Sequence, residues 1–177
     1  HFHGLADGKA GNIIVVSFDE QGEATKNGHV HLEAGAIYKM ELQAWDYQGK
    51  EVQQDFVTTK SVASSYKAFL VGGSFILNTD SETEDGAIFQ PGDQMYGDGT
   101  VVDGKYEATG IVSYFTVGAD NEGATKAVSY VLRKLNPGVK AAIERTDWNR
   151  SDYETAFQGE NVLALKFEIH AEHGHDH

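Results

Sequence analysis

The sequence predicts an all-β protein: two antiparallel sheets packed as a β-sandwich, immunoglobulin-like or related, with one short helix. Three observations lead there. Short alternating or apolar runs recur along the chain, broken by Gly, Asn and Asp, which is how strands and their turns read. Helical spacing is legible only at 151–157. The chain has 177 residues, 40% of them hydrophobic, enough for one domain with a sizeable core. The same strands closed into a barrel are the alternative.

The predicted strands are 12–18, 29–33, 37–46, 67–77, 107–117, 125–135 and 162–170. In 37–46, Tyr38, Met40 and Leu42 alternate with Lys39, Glu41 and Gln43. In 162–170, Leu163, Leu165, Phe167 and Ile169 share one face, and Lys166, Glu168 and His170 share the other, the period of a half-buried strand. Asn27-Gly28, Asp85-Gly86, Asp103-Gly104 and Pro137-Gly138 mark turns. Gly72-Gly73-Ser74 reads as a bulge or kink. Ser151, with Glu154 three residues on, forms a capping box for one or two helical turns. The domain organisation expected is a single sandwich over 1–170 and a His-rich tail over 171–177.

Charge narrows the function. Fourteen Lys and Arg against 27 Asp and Glu give a net charge of −13. Such a chain lacks the clustered cations that nucleic acid or anionic lipid requires, and its field attracts metal cations instead. It contains no cysteine, so disulfides, thiolate zinc sites and cysteine nucleophiles are excluded. The chain opens at His1 and shows no signal peptide, as expected of a mature or trimmed extracytoplasmic protein whose targeting segment has been removed.

The histidines carry the chemistry. All eight are grouped: His1 and His3, His29 and His31, then His170, His173, His175 and His177. Three segments contain His-x-His. In an extended chain such residues point to one side, so two imidazoles can take two positions on one ion. Imidazole suits zinc, copper, nickel and ferrous iron. In 29–33, Val30 and Leu32 alternate with His29, His31 and Glu33. Turning the apolar pair inward presents two imidazoles and a carboxylate together. Tetrahedral zinc needs one more ligand, and His170, on the polar face of another strand, is the expected partner. Glu168, Glu172 and Asp176 are carboxylates able to complete or orient the shell. The competing reading is a solvated polar face for His29 and His31, and weakly binding tails for the terminal histidines. If His1 is the true N-terminus, its amine and imidazole can form a copper histidine brace, a geometry used by copper-dependent oxidases.

Other candidates are weaker. Asp80–Gly86 alternates acids and ends in Gly but departs from the EF-hand pattern. Asp93, Asp98 and Asp103 lie among glycines. Either is read as a loop or as a calcium site. Trp148, flanked by Asp147, Asn149 and Arg150, is the best candidate for an exposed sugar-stacking platform. No nucleophile elbow or triad is legible, so an enzyme is not expected.

Three runs, Gly110–Gly118, Val128–Pro137 and Gly159–Ile169, with Ala34–Lys39 in the first half, resemble a group of small outer-membrane lipoproteins of Gram-negative bacteria rich in TonB-dependent receptors. Members carry His- and Asp-rich stretches after the lipidated cysteine. Relatives show Arg-His where this chain has Arg133-Lys134, so no ligand role is carried over to that position. The resemblance implies a surface lipoprotein, attached only through a lipid anchor removed here, that handles metal beside a TonB-dependent receptor. The expected function is therefore extracytoplasmic binding of zinc, with copper next. A carbohydrate-binding or adhesion module and a haem carrier using paired histidines are the alternatives.

Overall fold

The computed structural model describes residues 2–6, 13–19, 23–26, 28–33, 38–45, 48–73, 75, 88–102, 108–118, 121–123, 125–143, 147–150 and 152–172. Among the described residues ten strands run in the order β1 (Phe2–Ala6), β2 (Ile13–Phe18), β3 (Ala24–Lys26), β4 (His29–Glu33), β5 (Tyr38–Leu42), β6 (Tyr66–Gly72), β7 (Ile88–Pro91), β8 (Val112–Thr116), β9 (Thr125–Leu135) and β10 (Gly159–Glu172). They form a six-stranded sheet, β3-β2-β1-β5-β8-β7, and a four-stranded sheet, β4-β10-β9-β6. Both sheets keep their edges, so the architecture is an open all-β sandwich and not a barrel. The pairing is antiparallel except for β4, which joins β10 in parallel.

Alternation builds the core. Tyr38, Met40 and Leu42 of β5 face Leu165, Phe167 and Ile169 of β10 and Val128, Tyr130 and Leu132 of β9 within one cluster of buried side chains. The intervening Lys39 and Glu41 stay partly exposed and pair with each other at 3.2 Å. Phe69, Val131, Leu135, Ile143, Tyr153 and Phe157 form a second, smaller core. Its strand residues alternate with those of the main core, so it lies on the outer face of the four-stranded sheet. The segment carrying α2 (Tyr153–Ala156) covers that half. Arg133, 3% exposed, fastens the cover: its guanidinium donates to the carbonyls of Phe157, Glu154 and Gly159 and to Asn161 Oδ1. The other half of the outer face, around β4, carries the histidines.

Several elements differ from expectation. The strands β1, β3 and β7 were not legible, being short or, for β7, ending in proline. The strand predicted over 107–117 forms only at β8. The amides of Thr109 and Gly110 instead donate to Asp93 Oδ2, at 2.7 and 2.6 Å, which takes them out of a ladder. The strand predicted over 67–77 ends at Gly72, where φ turns to +94°. A Cβ there would meet the Ala127 carbonyl oxygen at 2.8 Å, so the pair Gly72-Gly73 terminates the strand. The last strand runs to Glu172, with Ala171 fully buried; the body thus extends two residues past the predicted start of the tail. The helix begins after Asp152, whose side chain makes no capping bond; Ser151, the expected cap, lies outside the described residues. A second helix, α1 (Lys60–Ala63), is capped by Thr59, whose hydroxyl accepts from the Val62 amide at 3.1 Å.

A buried polar network holds the segment before β8. Lys67 Nζ donates to the Ala108 carbonyl at 3.0 Å. Lys140 Nζ donates to the Ala63 carbonyl at 2.7 Å and to Thr109 Oγ1 at 3.2 Å. The Tyr130 hydroxyl donates to the Gly110 carbonyl at 2.6 Å. Burial pushes the Lys67 ammonium down to about 8, against the pull of the Asp93 carboxylate.

Candidate metal centre

The strand β4 places its residues as the alternation demands. Val30 and Leu32 are buried in the core, which turns His29 and His31 outward, both exposed. On β10, Phe167, Ile169 and Ala171 are buried, Glu168 is exposed and His170 half-buried. The parallel register then sets Glu168 beside His29, His170 beside His31 and Glu172 beside Glu33. Adjacent strands lie about 4.8 Å apart, which brings His29 within reach of Glu168 and His31 within reach of His170.

Three imidazoles converge on this face. Ring centroids are 4.9 Å apart for His29 and His31, 5.4 Å for His31 and His170, and 6.2 Å for His29 and His170. Zinc–nitrogen bonds of about 2.0–2.1 Å in a tetrahedron hold imidazole centroids about 5 Å apart. Two of the separations match that figure and the third exceeds it by about one ångström. As the side chains stand, no three His, Asp or Glu groups among the described residues enclose a metal position. Closure needs rotation about side-chain torsions, with the backbone register already set.

The rings also have defined neighbours. His29 Nδ1 lies 3.3 Å from Glu168 Oε2, both side chains about half exposed. His170 Nδ1 lies 2.9 Å from Thr125 Oγ1 on β9, its register partner. Lys166, next on the same face of β10, pairs with Glu23 at 3.1 Å. An open groove of about 430 Å³ runs from Glu168 past Ala127 and Ser129 to Gly72; Glu168 lines it, and the three histidines do not.

No family model matches this chain, and no curated protein or solved structure matches it either. The geometry therefore stands alone.

The remaining predicted ligands are placed as follows. Glu33 ends β4 in register with Glu172 of β10. His3 belongs to β1 in the other sheet, opposite Val15 and Glu41, so it is not part of the three-histidine face. His1, His173, His175, His177 and Asp176 lie outside the described residues, as do 80–86 and Asp103. Asp93 is taken up by backbone: its two carboxylate oxygens accept the amides of Thr109, Gly110 and Val112. Asp98 accepts the Thr100 amide at 2.9 Å, a bond that holds its carboxyl below the usual range. Trp148 is not a sugar platform. It is 6% exposed and packs against Phe75, Phe89 and Phe115, because an indole next to an aromatic cluster gains more area than one left in water.

Thr125 was missed from the sequence. Its only signal is its place at the start of a strand, and its value depends on the register between β9 and β10, which are joined through a long connection.

Proposed function

We propose that this chain binds a divalent transition-metal ion, zinc before copper, through His29, His31 and His170, and works in metal capture or handling outside the cytoplasm. The observation that carries the reading is the parallel β4–β10 register, which sets His31 beside His170 and brings His29 within 6.2 Å of it. Three imidazoles without thiolate favour borderline divalent ions. Three protein ligands leave a coordination position for water or a partner's donor, as exchangeable sites require. The acidic surface raises the local concentration of cations.

The compartment and partner rest on the resemblance to small outer-membrane lipoproteins. On that reading the chain sits at the cell surface beside a TonB-dependent receptor and passes metal to it. For the sugar-binding alternative, the favoured stacking residue, Trp148, is buried.

Elemental analysis of protein purified without a metal column tests the reading. Co-purifying zinc or copper, lost on changing His29, His31 and His170 to Ala, supports it. A metal-free protein that also fails to take up added zinc at about pH 7.5 refutes it. Protons compete for imidazole, so binding weakens as pH is lowered to about 5.5.

A further inference from the structure

We infer that Glu168 and Thr125 are positioning residues that hold His29 and His170 by their Nδ1 atoms, so that both rings present Nε2 to the metal. The inference rests on the metal binding proposed above and adds which ring nitrogens bind and which side chains select them.

A neutral imidazole has one protonated and one bare nitrogen, and only the bare one can bind a metal. The group next to the protonated nitrogen therefore decides which end of the ring faces the ion. His29 Nδ1 is 3.3 Å from a carboxylate oxygen of Glu168. A carboxylate only accepts, so this contact is satisfied when Nδ1 carries the proton and Nε2 is bare. His170 Nδ1 is 2.9 Å from the Thr125 hydroxyl, which can accept from Nδ1–H in the same way. The two arrangements are independent in origin. Glu168 sits two residues before His170 on β10 and reaches the His29 ring by the parallel register with β4. Thr125 comes from β9 by the antiparallel register with β10.

Both contacts engage Nδ1 and so leave Nε2, on the other side of each ring, as the nitrogen offered to an ion. Partners of this kind orient the ring and raise its basicity, and their loss typically weakens metal affinity about 10- to 100-fold. Glu168 thus acts through His29 and does not need to touch the ion. Its charge also offsets that of the bound cation.

The test uses the full chain loaded with zinc. Long-range proton–nitrogen correlation spectra of the zinc-bound protein read the state of each ring nitrogen. The expected result is zinc on Nε2 and a proton on Nδ1 for both His29 and His170. Zinc on Nδ1 of either ring overturns the assignment for its partner. In parallel, competition titration against a coloured chelator compares Glu168→Gln, Thr125→Val and Thr125→Ser with the wild type. Glu168→Gln and Thr125→Val are expected to weaken zinc by about 10-fold or more, and Thr125→Ser to retain affinity because it keeps the hydroxyl. Glu160→Gln, at the far end of β10, removes the same charge without touching the site and is expected to bind as the wild type does. If Glu168→Gln and Thr125→Val also bind as the wild type does, the positioning role is wrong while metal binding stands. If the wild type takes up no zinc, the metal reading itself fails and takes this inference with it.

Discussion

Lys67 makes stability rise with pH across the alkaline range. Lys67 is 7% exposed, and burial, opposed by the Asp93 carboxylate, lowers its pKa from 10.5 to about 8. Below about pH 8 the lysine is protonated in both the folded and unfolded chain, and the fold carries the full cost of a buried cation. Between about pH 8 and about pH 10 the unfolded chain holds a proton that the folded chain has released, so stability rises with pH. The slope approaches about 1.4 kcal/mol per pH unit. With the two pKa values above, the gain across that window is about 2 kcal/mol. Tyr130 closes the window: burial holds its hydroxyl well above the usual tyrosine value of 10.0, so above about pH 10 the unfolded chain loses that proton first and stability falls. Urea unfolding of the wild type and of Lys67→Met at intervals from about pH 7 to about pH 10 reads the effect as the difference between the two chains. The wild type is expected to gain about 2 kcal/mol on the variant between about pH 8 and about pH 10. A difference that stays flat across that range refutes the linkage.

Three further predictions follow from packing. Arg133→Met leaves four acceptors, two on the α2 cover and two at the start of β10, without their donor; a loss of about 3–5 kcal/mol in chemical unfolding is expected, with faster amide exchange at Phe157, and an unchanged exchange rate there contradicts the clamp. Trp148→Ala empties a site walled by Phe75, Phe89 and Phe115; a loss of about 3–5 kcal/mol is expected, and a near-neutral result would mean the indole is not in the core. Gly72→Ala forces a side chain into φ +94° against the Ala127 carbonyl; a fall of about 1–3 kcal/mol in thermal or urea unfolding is expected, and a stabilised variant contradicts the strand ending described.

Strands with complete alternation or a longer apolar run were legible in the sequence. The predicted 29–33 and 125–135 coincide with β4 and β9: β4 alternates apolar and polar residues, and β9 is a longer apolar run buried on both faces over Tyr130–Arg133. The outward turn of His29 and His31 followed from Val30 and Leu32 alone. What the sequence hid is pairing. That β4 lies parallel to β10, and that His170 meets His31 and not some other residue, depends on contacts between residues about 140 positions apart. Period two says which face a residue takes, never which strand lies beside it. Trp148 misled for a related reason: its polar neighbours in the chain sit in a short turn, and such a turn can bury one side chain while exposing the next. Asp93 looked like a loop acid, yet its burial against three amides belongs to a segment 16 to 19 residues away.

Zinc titration calorimetry on a chain ending at Glu172, which omits the terminal histidines 173, 175 and 177, puts the three-imidazole cluster to the most direct trial. Saturable, stoichiometric uptake is expected, abolished in the variant with His29, His31 and His170 all changed to Ala. Heat that is absent from the shortened chain, or identical in the two proteins, contradicts the claim that these rings form the site.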